Sequence, residues 1–374
     1  MSALRNLVDK LKPTFTKGGK LGFLESTFDA FETFLFVPNT TTSKGAHIRD
    51  CNDMKRTMIM VVVALMPALL FGFYNTGYMH FLSQGVQPEF WASLWFGFLK
   101  VLPLIVVSYV VGLGIEFAFA QARGHEVNEG FLVTGLLIPM IMPVGTPLWM
   151  IALGTAFAVI FGKEVFGGTG MNVFNPALVA RAFVFFAYTP FISGEKVWFA
   201  DDAVSGATAL EQLATSGTMS YSTADAFLGF IPGCVGETST LAILIGAAIL
   251  LFTGVASWRT MSFVFIGGLA MGYFFQALGV TTYPAWEHLI VGGFAFGAVF
   301  MATDPVTSAQ TRTGQYIVGF LTGALAVLIR VVNPAYPEGM MLAILFMNAL
   351  APLVDYCVVE SSISRRKKRV KLVK

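Results

Sequence analysis

Charge is scarce in this chain. Of 374 residues, 12% are Asp, Glu, Lys or Arg, 55% are hydrophobic, and the mean hydropathy is +0.70. Soluble globular proteins carry about 25% charged residues, so the composition excludes that class, and the repeated apolar stretches place the chain in a bilayer. Cysteine is scarce as well. Cys51, Cys234 and Cys357 lie far apart and form no CxxC, which argues against a disulfide framework, a structural zinc site or any transition-metal centre. The first 56 residues are polar and contain no apolar core of a secretory signal. The stretch Gly167-Gly168-Thr169-Gly170 is not GxGxxG and follows no strand, so a dinucleotide-binding fold is not expected.

The charge that is present is unevenly placed. Nine Lys or Arg lie between Met1 and Arg56, and seven more in the last eleven residues. Both clusters flank apolar runs, so they read as an orientation signal rather than a nucleic-acid surface. Apolar runs lie near 57–74, 91–121, 130–147, 148–162, 175–192, 239–256, 260–280, 288–303, 315–332 and 339–359. A straight helix needs about 20 apolar residues to cross the hydrocarbon core. Several runs fall short, so some are expected to be tilted, broken or re-entrant. Ten spans put both basic termini on one side, which the positive-inside rule makes cytoplasmic. Segment 193–238, with six acids and only Lys196 as a cation, then lies outside.

The expected fold is an all-α integral membrane protein of about ten transmembrane helices in two inverted five-helix repeats. The divisions are a cytoplasmic segment 1–56, a first repeat 57–192, an outer segment 193–238, a second repeat 239–359 and a basic tail 360–374. In the first half Gly130-Phe131 leads through Pro143 to Pro147 to Asn175-Pro176-Ala177. In the second, Gly293-Phe294 leads through Asp304-Pro305-Val306-Thr307 to Asn333-Pro334-Ala335. Each half holds an odd number of spans, so the second enters the membrane from the opposite face. Paired, interrupted segments in such repeats are the sequence pointer to a binding site. Broken backbone leaves amides and carbonyls free for an ion or a polar ring edge.

Several residues could carry chemistry. Asp202-Ala203-Val204-Ser205-Gly206-Ala207-Thr208 combines small residues with an accessible hydroxyl, although taken alone it also describes an ordinary turn. Asn172 and Asn175, with Gly168, offer amides beside flexible backbone, or simply cap a helix break. Glu116 sits inside an apolar run, where a carboxylate is costly and is a functional candidate by default. Asp29, Glu237, Asp304 and Asp355 lie near span ends, and carboxylates suit a hard cation such as sodium. Arg330, also in an apolar run, is expected to snorkel or to pair with a carboxylate such as Glu338.

The chain resembles the NqrB family, the membrane subunits of bacterial sodium-pumping NADH:quinone oxidoreductases, and, more distantly, the RnfD subunits of Rnf complexes. The resemblance is carried by His47-Ile48-Arg49-Asp50, His125 to Gly130, Lys163 to Gly170, Asn175-Pro176-Ala177, Ser205 to Leu210, Gly292 to Gly297 and Met301 to Pro305. It implies a covalent FMN, joined by a phosphoester to Thr208 by a separate flavin transferase that recognises Asp202, Ser205, Gly206 and Ala207. Ala203 stands where the family motif usually has Gly. It implies a non-covalent riboflavin near Gly168, Asn172 and Asn175. It implies a ubiquinone site near Gly112, Leu113, Glu116 and Phe131, with Leu113 where relatives show Gly. It connects Asp29, Glu237, Asp304 and Asp355 with sodium passage.

The same resemblance implies membership of a larger complex in the bacterial inner membrane, with Thr208 on the periplasmic side. NADH is expected to react at another subunit. A solute transporter without redox chemistry fits the composition and repeat equally well, and an Rnf-type protein fed by ferredoxin is a narrower alternative, against which the long basic N-terminal segment favours the NADH-linked enzyme.

Overall fold

The computed structural model describes residues 2–15, 54–124, 130–192, 207–333 and 338–372, together with Trp198 and scattered positions between 22 and 48. Among these residues the regular structure is helical, with no strand. α1 (Ser2–Phe15) precedes the apolar body. The first half holds α2 (Met54–Ser83), α3 (Phe90–Arg123), α4 (Phe131–Met140), α5 (Leu148–Gly162) and α6 (Pro176–Ala187). Two small helices follow, α7 (Ala209–Ser216) and α8 (Thr223–Leu228). The second half holds α9 (Thr240–Phe252), α10 (Trp258–Ala277), a broken segment 294–301, α11 (Arg312–Val332) and α12 (Gly339–Leu372).

Six helices, α2, α3, α5 together with the 3-10 turn that extends it to Phe166, α10, α11 and α12, are long and apolar enough to cross a membrane, and α4, α6 and α9 are shorter apolar helices. The protein is an all-α, multi-pass membrane protein. α3 shows why. Its buried stripe, Ser93, Gly97, Val101, Leu104, Ser108, Gly112, Glu116 and Ala120, recurs every three or four residues and, apart from Val101 and Leu104, is small or polar. Its opposite face exposes Trp95, Leu99, Val106 and Val110. A helix that is apolar on its outer face has lipid as its solvent.

The two short runs break as their Pro and Gly residues demand. α4 stops at Met140, after which Ile141 to Pro147 turn back without helix. In the second half an α-turn at Phe294–Phe296 passes into a π-helical stretch, Gly297–Met301. Such irregular backbone survives at membrane depth only inside protein, and both segments are buried, with Phe131, Ile138, Phe294 and Ala298 fully enclosed. Two other boundaries differ from the sequence reading. α2 runs on past residue 74 because Asn75 Nδ2 donates to the Ile231 carbonyl (2.9 Å) and Thr76 Oγ1 to that of Gly72 (2.8 Å). The basic tail is not a separate element: α12 continues through it, since residues 353–372 contain neither Gly nor Pro and are rich in good helix formers.

The halves pack in matching ways. α3 lies against α4 and α5, as α10 lies against α11 and the broken segment. α5 packs on α6, as α11 packs on α12, and α2 and α9 meet across the seam. Glycines let these backbones touch, as expected where lipid supplies no hydrophobic drive between helices. A Cβ on Gly323 of α11 would stand 1.9 Å from the Val264 carbonyl oxygen of α10, and one on Gly246 would stand 2.3 Å from that of Ala64. Serine and threonine caps start the second-half helices: Ser239 on α9, Ser257 on α10 and Thr311 on α11. Gly323→Val is expected to cost about 3 kcal/mol by overpacking. Thermal unfolding of the purified complex checks this. The variant melts lower, whereas Gly114→Ala, on the open face of α3 where a Cβ meets nothing, does not reproduce the loss.

Candidate functional site: two polar cavities at opposite ends of the bundle

Residues 163–175, the start of α6 and the loop after Met301 meet at the end of the bundle where α2 begins. Lys163 and Glu116 form a fully buried ion pair. Beside it, Arg123 reaches Glu164 Oε2 (3.3 Å) and the Glu164 carbonyl (2.8 Å). Sequence reasoning weighed Glu116 alone. Its partner lies 47 residues away, and no local pattern signals it.

A cavity opens next to this pair, walled by Thr134, Lys163, Thr169, Gly170, Asn172 and Asp304. Asn175 also lines it and does two jobs. Its Oδ1 caps α6 by accepting from the amides of Ala177 (3.0 Å) and Leu178 (3.4 Å). Its Nδ2 donates to Asp304 Oδ2 (3.3 Å), so it ties one half to the other. Asp304 also accepts from the Val306 amide (3.0 Å) and the Thr307 hydroxyl (3.2 Å). Gly168, with φ +98°, shapes the turn by donating to the Lys163 carbonyl (3.1 Å) but does not line the cavity. Asn172 does line it, while its Nδ2 donates to the Phe174 carbonyl (3.0 Å).

The structure brings Gly112, Glu116 and Phe131 together. The Phe131 ring fills the notch left by Gly112, where a Cβ would lie 1.8 Å from Cζ. Tyr109, one turn earlier, meets the ring edge-on at 6.2 Å, and Lys163 Nζ lies 6.0 Å from its centroid. Leu113 is half-buried on an adjoining face of α3.

At the other end, Thr208 is half-buried and is the N-cap of α7, its Oγ1 accepting from the Glu211 amide (3.2 Å). Ala207 precedes it, with its carbonyl accepting from Gln212 Nε2 (3.0 Å). Asp202, Ser205 and Gly206 lie outside the described residues, as does Asp29. Thr208 borders a cavity shared with Gly233, Glu237, Thr238, Gly292 and Glu338. Glu237, Gly293 and Glu338 also line a second, deeper cavity with Arg181 and Arg330.

Here one pairing differs from expectation. Glu338 is taken by Arg181 of α6, not by Arg330. Arg181 also donates to the Ile141 carbonyl, freed by the break after α4, and lies 3.3 Å from Cys234 Sγ. Arg330 Nη1 donates instead to the His288 carbonyl (2.5 Å). Arg181 was missed in the sequence. The signal available was an Arg within an apolar run, the same signal that drew notice to Arg330. Glu237 is buried and accepts from the Cys234 amide (3.1 Å). Asp355 stands apart from both cavities and brackets the start of α11, accepting from the amides of Gln310 (2.7 Å) and Thr311 (3.0 Å).

Comparison with known proteins settles what this architecture is a version of. The model of the NQR2, RnfD, RnfE family matches residues 41–364. The chain belongs to that family. Among curated relatives it is 48% identical to the B subunit of the Na(+)-translocating NADH-quinone reductase of Chromohalobacter salexigens, over 98% of this chain and 96% of that one. It is 46% identical to the proteins of the same name from Pseudomonas paraeruginosa and Azotobacter vinelandii, over 97% of this chain and 98% of each. Membership extends over both halves and both cavities.

The buried Lys163–Glu116 pair yields a test of how the first end is held. Lys163→Met leaves Glu116 buried without its cation, which costs about 3–5 kcal/mol. Combining it with Glu116→Gln is expected to restore much of that loss. A double-mutant cycle on thermal unfolding reads the coupling, and additive losses would show that the two side chains act independently.

Proposed function

We propose that this chain is the membrane subunit of a sodium-translocating NADH:quinone oxidoreductase, and that it holds flavins at the two ends of its bundle. Thr208 carries the reading. In a chain similar over nearly its whole length to proteins bearing that name, it presents a half-buried hydroxyl at the rim of a cavity.

The residues around Thr208 suit FMN bound by a phosphoester. A phosphate on Oγ1 would sit at the N-terminus of α7, where unpaired amides and the helix dipole favour negative charge. Gly292, at φ +68°, and Gly233 leave the cavity wall without side chains. When bound, FMN supplies one- and two-electron transfer that no side chain offers. The protein's part is to place the ring, exclude water and set the surrounding charge.

At the first end, Asn172, Asn175, Lys163 and Thr169 offer a ring of amide, ammonium and hydroxyl groups suited to the polar edge of riboflavin, with Gly168 shaping the turn above. Ubiquinone is assigned to the neighbourhood of Gly112, Leu113, Glu116 and Phe131, where an aromatic ring and a buried ion pair lie side by side. For sodium, Glu237 and Asp304 are the better placed acids, because each adjoins a break in the helical backbone. Gly236, beside Glu237, donates its amide to Met140 at the end of α4, and Asp304 follows the π-helical stretch. Asp29 and Asp355 complete the proposed group. The remaining subunits, a flavin transferase, quinone and lipid are the proposed partners. The basic termini are assigned to the cytoplasm and the Thr208 segment to the periplasm.

The test is fluorescence of the denatured polypeptide after coexpression with a flavin transferase. The unmodified chain is expected to keep a fluorescent band through denaturing electrophoresis, and Thr208→Val to lose it. A band that survives Thr208→Val, or none in the unmodified chain, contradicts the assignment.

A further inference from the structure

The two halves build the same local device twice, and only one copy contains a direct ion pair. In the first half Gly112 receives the Phe131 ring, Tyr109 lies one turn before it, and Lys163 Nζ stands 6.0 Å from the ring centroid. In the second half Gly268 receives the Phe294 ring, where a Cβ would lie 2.5 Å from Cζ. Phe265, again three residues before the glycine, meets that ring at 5.9 Å, and Arg330 Cζ stands 5.6 Å from its centroid. Each device is thus a phenylalanine seated in a glycine notch beneath a buried cation.

One difference between them concerns a carboxylate. Four residues after Gly112 is Glu116, which neutralises Lys163. Four residues after Gly268 is Gly272, packed against Ala285. Arg330 therefore has no carboxylate from α10 and no direct ion pair among the described residues, although Glu237 and Glu338 line the same cavity. It is 4% exposed, and only Nη1 is engaged, by the His288 carbonyl. Nε and Nη2 have no hydrogen-bond partner among the described residues, nor does Nε2 of His288, itself 2% exposed. The acidic groups around it are committed elsewhere: Glu338 to Arg181, and Glu237 to the Cys234 amide. The Tyr283 ring lies tilted against that of His288, with centroids 4.9 Å apart. Buried N–H groups left without an acceptor are disfavoured, and a polar ligand beside them would satisfy that need.

The open donors lie close to the Thr208 cavity. Arg330 Nη2 is 3.3 Å from where a Cβ on Gly292 would be, and Gly292 lines the same cavity as Thr208. Glu237, Gly293 and Glu338 line both that cavity and the one that holds Arg330.

We propose that Arg330 is the counter-charge of the flavin carried on Thr208, its free N–H groups directed at the N1–C2 carbonyl edge of the ring. This rests on the covalent-flavin reading above. A flavin ring that takes up two electrons and one proton carries one net negative charge, centred on that edge. The electrons come from the NADH-linked partner of the proposed reaction. A guanidinium presents N–H groups in a fixed fork that suits such an edge, and it keeps its charge where an ammonium can shed it. The oxidised ring gains less from it, so Arg330 favours the reduced form.

The experiment is a redox titration of the covalently bound flavin in the purified complex, with Arg330→Gln and Arg330→Lys. Arg330→Gln is expected to lose at least a tenfold preference for the reduced form. For a two-electron couple this lowers the midpoint potential by about 30 mV or more. Arg330→Lys keeps the charge but not the fork, and shifts the potential the same way by less. Both variants should retain the fluorescent band on the denatured polypeptide. A retained band with an unchanged potential overturns the role of Arg330 alone. A missing band in the unmodified chain overturns the flavin on Thr208, and this proposal with it. Should neither variant assemble, the unmodified complex decides. With 15N-labelled arginine, reduction is expected to shift the guanidinium bands in infrared difference spectra, and unshifted bands overturn the proposal.

Discussion

One guanidinium closes the break in the first half and joins it to the second. Arg181 takes the Ile141 carbonyl that the end of α4 leaves free, and it pairs across the seam with Glu338. An unpaired polar atom at membrane depth costs several kcal/mol. The broken helix, the irregular turn 141–147 and the approach of α6 to α12 all depend on this contact. At the other end Asn175 plays a similar part with neutral groups, capping α6 and reaching Asp304. The halves are therefore tied at both ends by side chains that also repair interrupted backbone.

That arrangement explains why polar cavities occur where they do. Helix breaks are the places where backbone groups and buried charges gather, and each break has a cavity beside it. The device of glycine notch, aromatic ring and buried cation is repeated at both ends, but its charge is balanced differently. Lys163 has a direct ion pair, whereas Arg330 leaves two of its nitrogens without a hydrogen-bond partner among the described residues. Near-symmetric backbones can thus hold two electrostatically distinct sites, which is what a relay between unlike redox partners requires.

Much of the fold was legible because lipid imposes simple rules. Apolar runs, their interruptions at Pro143 to Pro147 and around Gly292 to Gly297, and the two Gly-Phe pairs correspond to elements of the structure, and Asn175-Pro176-Ala177 starts α6, while Pro334 and Ala335 of the second Asn-Pro-Ala lie outside the described residues. Asn175 as a helix cap was readable from its place before Pro176. The pairings were not. Arg181 and Glu338 are 157 residues apart, and Lys163 and Glu116 are 47 apart. Which cation takes which acid is decided by how the halves dock, and so Arg330 was given the wrong partner. Asp355 shows the same limit: its place near a span end is visible in the sequence, but its contacts with the amides that start α11 are not. The flavin assignment came from resemblance, since Thr208 in isolation is an ordinary helix cap.

The central claim is that two inverted halves place the Thr208 cavity and the Asn175 cavity at opposite faces of the membrane. Side-specific labelling tests it most directly. In a chain freed of Cys51, Cys234 and Cys357, a single cysteine is placed at exposed Thr215 of α7 or exposed Ser361 of α12. With an impermeant maleimide, Thr215→Cys is expected to react in cells whose outer membrane alone is permeabilised. Ser361→Cys is expected to react only once the inner membrane is opened. Labelling of both positions from the same side would contradict the inverted arrangement and the two-ended account built on it.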